Sequence, residues 1–129
     1  MENKVVARFR DGRLVKGTTT NFLPTKPSFH LQTPDRQVIE VKIADLKALF
    51  FVKRLEGNPS YHEQKGFTDR KMYGQRVSCR LGDGEVLTGY TQGYDPSRPG
   101  FFLVPADPNS NNERVFVVNS PAVTVTILK

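Results

Sequence analysis

The stretch Val5 to Leu31, VVARFRDGRLVKGTTTNFLPTKPSFHL, recurs as Val77 to Leu103, VSCRLGDGEVLTGYTQGYDPSRPGFFL, at a shift of 72 positions. Ten positions are identical. Val5, Arg8, Asp11, Gly12, Gly17, Thr19, Pro24, Pro27, Phe29 and Leu31 fall on Val77, Arg80, Asp83, Gly84, Gly89, Thr91, Pro96, Pro99, Phe101 and Leu103. Phe9 with Leu81, Leu14 with Val86, Phe22 with Tyr94 and Lys26 with Arg98 are conservative matches. A repeat of this kind constrains the fold more than any other feature, because each copy must be one supersecondary unit built the same way.

Each copy reads as β structure. Asp11-Gly12 and Asp83-Gly84 stand between alternating apolar runs, which is the strongest short-range hairpin signal and predicts two-residue type I′ turns. Gly17 and Gly89 fall inside the following strands, where glycine marks a bulge or a sharp bend. Pro24-Thr-Lys-Pro27 and Pro96-Ser-Arg-Pro99 predict stiff turns, since proline fixes its own φ and restricts its predecessor. A third strand follows at Phe29–Leu31 and Phe101–Val104. In the second half of each copy, Val41, Ile43, Ala48, Phe50 and Val52 align with Phe116, Val118, Val123, Val125 and Ile127 if the second copy carries three extra residues. Asp45-Leu46-Lys47-Ala48 allows a helical turn before the buried-strand run Leu49–Val52.

The expectation is an all-β chain of two tandem small five-stranded antiparallel barrels related by pseudo-symmetry. Residues 1–52 form the first unit and residues 75–129 the second. The polar stretch 53–74 is a connector, with a short helix around Tyr61–Lys65. Units of about 50 residues bury too little apolar surface to stand alone, so the two should pack together or the protein should dimerise.

Composition bounds the function. The 129 residues are 37% hydrophobic and 25% charged, an ordinary globular balance, and no apolar run is long enough to span a membrane. No signal peptide opens the chain, and the single cysteine, Cys79, excludes an internal disulfide and fits a reducing cytoplasm. A net charge of +6 favours anionic partners.

No catalytic set is visible. His30 and His62 are isolated, and no Ser, Asp or Cys stands at triad spacing. Gly82-Asp83-Gly84 lacks the third glycine and the helix of a dinucleotide fingerprint. Asp107-Pro-Asn109-Ser-Asn111-Asn112-Glu113 opens like a calcium loop, but Asn112 stands where the loop needs glycine and Val118 where it needs glutamate. It reads instead as a turn that satisfies its own backbone. The chain is therefore read as non-enzymatic, with no metal and no cofactor.

The sharper pattern lies in the second copy. Arg76-Val-Ser-Cys-Arg80 spells RxxxR, and Asp95-Pro-Ser97-Arg98-Pro-Gly100 spells DxSxxG. Together they resemble the cyclic di-GMP-binding signature of PilZ domains. The resemblance implies a site for cyclic di-GMP or another anionic nucleotide at Arg76, Arg80, Asp95, Ser97, Arg98 and Gly100. Guanidinium groups suit phosphate and guanine because they bind bidentately and stack. The first copy has Lys4, Arg8, Leu23 and Ser28 at the equivalent places, so the shared turn also reads as purely structural.

Two further resemblances bear on the whole unit. Strand, Asp-Gly, glycine-bearing strand and phenylalanine-bearing strand are similar to the Sm-like small barrel, which implies RNA. GFFLVPADPNSNNERVFVV resembles an uncharacterised bacterial domain found beside PilZ or response-regulator domains, which implies a regulatory setting and a signalling protein partner. RNA binding would need exposed aromatics among basic residues. Phe101 is expected in the core and Phe102, of opposite strand parity, on the surface. The reading is thus a cytoplasmic bacterial binding or regulatory module, with an Sm-like RNA-binding protein as the alternative.

Overall fold

The computed structural model describes residues 2–57 and 74–128. The connector helix expected around Tyr61–Lys65, and His62 with it, lies outside the described residues.

Ten strands run β1 (Asn3–Phe9), β2 (Leu14–Thr19), β3 (Ser28–Gln32), β4 (Val38–Lys42), β5 (Leu46–Val52), β6 (Gln75–Arg80), β7 (Val86–Thr91), β8 (Gly100–Pro105), β9 (Asn112–Val118) and β10 (Thr124–Leu128). Among the described residues the only helical element is one 3-10 turn, Ile43–Asp45, so the helical turn read at Asp45–Ala48 falls two residues earlier and β5 begins at Leu46.

The hairpins form where Asp-Gly stands, but with a different turn. The Leu81 amide bonds the Glu85 carbonyl and the Gly84 amide bonds the Leu81 carbonyl, which leaves three residues in the loop. Only the glycine takes positive φ, +94° at Gly12 and +90° at Gly84, not the aspartate before it. This is a three-residue loop with a left-handed glycine, not the two-residue type I′ turn. The aspartate is instead held in place by its carboxylate, which accepts from the backbone amide two residues on, Arg13 or Glu85.

Gly17 and Gly89 stand where two strands come close, and the β1–β2 and β6–β7 registers run through them without the expected bulge. A Cβ on Gly89 would lie 2.1 Å from the Val104 carbonyl oxygen, and one on Gly17 would lie 2.2 Å from that of Gln32. Strand crossing at this distance admits only glycine.

All strands are antiparallel and form one sheet in the order β10-β6-β7-β8-β9-β5-β1-β2-β3-β4. Here the expectation of two closed barrels needs correcting. The repeat is present, each half contributing five strands, but the ladders close neither half. To close its own half, β5 would have to pair with β4; it pairs instead with β1 and with β9 of the other half. The sheet stays open, with β4 and β10 as its edges.

The reason is burial. β5 and the end of β9 are apolar on both faces, a pattern that requires cover on both sides. Two cores result. Val5, Phe29, Leu31, Val41, Leu49 and Phe51 lie in the first, together with Phe116 and Val118 from β9. Val77, Cys79, Leu81, Phe101 and Leu103 lie in the second, together with Ala48, Phe50 and Val52 from β5. Alternate residues of β5 and β9 thus serve alternate cores, and neither half has a complete core without the other.

The pairing also corrects the alignment of the second half of the repeat. Phe29 pairs with Val41 and Phe101 with Val117; Val5 pairs with Phe51 and Val77 with Ile127. Val41 therefore matches Val117 and Phe51 matches Ile127, a shift of 76 and not 75, so the second copy carries four extra residues. A one-residue slip exchanges the two faces of a strand. Phe116 consequently corresponds to Glu40, an outward residue, which is why it can serve the neighbouring core.

Candidate functional site

The six residues read as a nucleotide site do not form one cluster. Arg76 and Arg80 project from the outer face of β6, opposite in strand parity to the buried Val77 and Cys79. Arg80 lines a shallow hollow of about 320 Å³ with Ser78, Val86, Thr124 and Thr126. None of Asp95, Ser97, Arg98 or Gly100 lines it. Those four lie on the β7–β8 turn and at the start of β8.

Asp95 and Ser97 hold that turn together. The Asp95 carboxylate accepts from the Ser97 amide at 2.9 Å and from its hydroxyl at 2.7 Å, while the Asp95 carbonyl accepts from the Arg98 amide at 3.1 Å. The Ser97 hydroxyl and amide, with the nearby Arg98 charge, keep the Asp95 carboxyl below its ordinary value. Asn119 fastens the turn from β9, its side-chain amide donating to the carbonyls of Asp95 and Arg98, both at 3.0 Å. In the first half the Lys26 amide bonds the Leu23 carbonyl at the matching place, so the turn forms there without the aspartate. The Arg98 guanidinium is bound only loosely, 3.7 Å from Asp95, with 76% of its side chain exposed.

Arg98 and Gly100 do meet a site, a wide concavity. A groove of about 1050 Å³ runs between the end of β7, the start of β8, β9, and the β2–β3 turn of the first half. Its floor is aromatic: Tyr90, Phe101, Phe102 and Phe116. Pro24 and Thr25 form the wall contributed by the first half, and Gln92 and Gly93 the rim opposite. Gly100 lets β8 lie close against β9, since a Cβ there would lie 2.4 Å from the Val117 carbonyl oxygen and 2.6 Å from the Phe116 ring.

Arg114 is the residue that sequence reasoning missed. From β9 its guanidinium lies 4.2 Å from the ring centre of Phe51 and 4.7 Å from that of Phe102, and it lines the groove with Arg98. Stacking on two rings holds a guanidinium in place while leaving its N–H edges for an acceptor. The signal was an arginine at the head of the apolar run Val115–Val118, in a strand buried on both faces beyond it. No carboxylate lines the groove among the described residues. Phe102, expected on the surface, packs on the first core, with Phe116 at 5.1 Å and Phe51 at 6.0 Å between ring centres. Phe101 is buried as expected and meets Tyr94 edge-on at 5.0 Å.

Residues read as inert have structural partners. The ring nitrogen of the exposed His30 lies 3.0 Å from the Asn21 side-chain amide. Cys79 is fully buried, and desolvation pushes its thiol up to about 11. Asp107, also buried, accepts from the Asn109 amide at 2.9 Å, which is the self-satisfied turn read from the sequence. No helix among the described residues is long and apolar enough to cross a membrane.

A family model matches residues 1–129, the whole length given. The chain belongs to DUF6982, a family of unknown function. Comparison of this DUF6982 chain with the curated proteins and with the solved structures gives no match.

Proposed function

We propose that the protein is a non-enzymatic binding module whose groove between the two halves takes an anionic nucleotide, with cyclic di-GMP as the first candidate. The observation that carries this reading is the pair Arg98 and Arg114 above an aromatic floor in a concavity without carboxylates. Guanidinium groups receive phosphate oxygens with charge-assisted hydrogen bonds, and an apolar, ring-lined floor receives a base. Arg76 and Arg80 stand outside this groove and add only to the general positive field. The wider setting rests on the sequence resemblances and the lone buried cysteine. In that setting each half is an open five-stranded unit akin to PilZ or Sm-like domains, and the protein works in the bacterial cytoplasm beside signalling partners.

RNA is the second reading, favoured by the +6 net charge. Salt separates the two, because a strand that neutralises many phosphates releases many counterions and loses affinity steeply with salt.

Titration calorimetry with cyclic di-GMP tests the proposal. Arg98→Ala and Arg114→Ala should each weaken binding about ten- to a hundredfold, the effect of losing one charged hydrogen bond. Arg114→Lys should recover only part, because it keeps the charge and loses the planar fork. Arg80→Ala should change little. No heat with the unaltered protein removes the nucleotide reading. A loss with Arg80→Ala as large as with Arg114→Ala moves the ligand to the outer face of β6.

A further inference from the structure

The junction between the halves is a contact between unlike strands: the fifth strand of the first half, β5, pairs with the fourth strand of the second, β9. The complementary pair, the fourth strand of the first half and the fifth of the second, are β4 and β10. Among the described residues these are the two edge strands of the sheet. We infer that a second copy of this chain docks there, β10 of one copy adding to β4 of the next in the register that the internal junction already uses.

The repeat fixes that register. Internally Ala48, Leu49, Phe50 and Phe51 lie opposite Val117, Phe116, Val115 and Arg114. Carried over by the shift of 76, Thr124, Val125, Thr126 and Ile127 lie opposite Val41, Glu40, Ile39 and Val38 of the next copy. The last pair is the informative one. Val38 is 63% exposed and Ile127 47% exposed, and with Leu128 they make three of the five large exposed apolar side chains among the described residues. Phe51, the counterpart of Ile127, is only 4% exposed, with Arg114, the counterpart of Val38, lying across it. In the docked pair Val38 would cover Ile127 in the same way. β10 carries no charge and is mostly β-branched, which suits it to accept another strand.

The flanking faces set the strength. Phe102 and Phe116, which seal the internal junction, are matched in the first half by His30 and Glu40. The contact between copies is therefore wetter than the internal one, and association is reversible. Because the two surfaces differ, the contact propagates head to tail and ends in a ring or an open chain.

Sedimentation velocity on the full chain, from about 1 µM to about 1 mM, reads this directly. The unaltered protein should sediment faster as concentration rises and pass beyond the dimer. Val38→Lys and Ile127→Lys lie on exposed edge positions, and thermal melts will show that each folds. Each variant alone should stay monomeric over the same range, at least a tenfold weakening. A mixture of the two should form a one-to-one dimer, since one intact β4 then meets one intact β10. A monomer at every concentration in the unaltered protein overturns the inference. So does self-association of either variant at wild-type strength, as a symmetric β10–β10 contact would give for Val38→Lys, or a mixture that stays monomeric.

Discussion

Replacing Gly89 by alanine should be among the most damaging single-methyl additions in this protein. The added Cβ would stand 2.1 Å from the Val104 carbonyl oxygen and 2.8 Å from the Leu103 Cδ2. The first of these is backbone and cannot swing aside. β7 and β8 pair only at Gly89–Pro105 and Tyr90–Val104, so separating them there removes the whole ladder between them. Overpacking costs about 1–3 kcal/mol, and each lost backbone hydrogen bond about 0.5–1.5 kcal/mol more, for a total of roughly 2–5 kcal/mol. Gly84→Ala is the control. Its φ is +90° and nothing lies within 4 Å of the added carbon, so only the left-handed backbone is penalised, by about 1–2 kcal/mol. At about 4 °C per kcal/mol for a chain of this size, Gly89→Ala should lower the melting temperature by roughly 8–20 °C and Gly84→Ala by roughly 4–8 °C. Gly17→Ala and Gly12→Ala should reproduce the two classes. Circular dichroism melts with parallel urea titrations measure both. A Gly89→Ala melt within about 3 °C of the parent, or one milder than Gly84→Ala, refutes the close approach of β7 and β8.

Three further outcomes follow from buried or paired side chains. Cys79, with its thiol raised to about 11 by burial, should react with a thiol reagent at neutral pH only as fast as the protein unfolds; rapid labelling of the folded protein contradicts its placement in the second core. The Asp83 carboxyl is held low, first by the hydrogen bond from Lys47 and then by the Glu85 amide. Its contribution is complete above the ordinary aspartate value of about 3.9 and disappears as pH falls through the lowered folded value. Asp83→Asn should therefore flatten the loss of melting temperature on the acid side, and an unchanged acid limb would be inconsistent with the Lys47–Asp83 pair. Phe116→Ala should cost about 3–5 kcal/mol and, although it lies in the second half, should speed amide exchange around Phe29 and Phe51; loosening confined to the second half would show that the halves keep separate cores.

What could be read from the sequence follows from how locally each feature is encoded. The Asp-Gly hairpins and the proline turns depend on a few adjacent residues, and the repeat doubled each signal. The partner of β5 was not local. The run Leu49–Val52 announced a buried strand, but nothing in it says that Val115–Val118 covers it. That pairing turns two expected barrels into one open sheet. The groove was missed for the same reason: Arg114 and Phe51 are far apart in the chain and meet only through the β5–β9 ladder. Arg76 and Arg80 were legible as a motif because motifs are local, yet neither lines the groove that Arg98 lines. Sliding the second half of the repeat by one residue also hid the fact that Phe116 stands where the first half has Glu40.

The most direct measurement is a backbone amide NMR titration of the labelled protein with cyclic di-GMP. Shifts should cluster on Gln92, Gly93, Phe102 and Arg114, and should include Thr25 from the first half, because the groove is built by both. Shifts confined to Arg76–Arg80 and β10, or no shifts at saturating nucleotide, would contradict a ligand site between the halves.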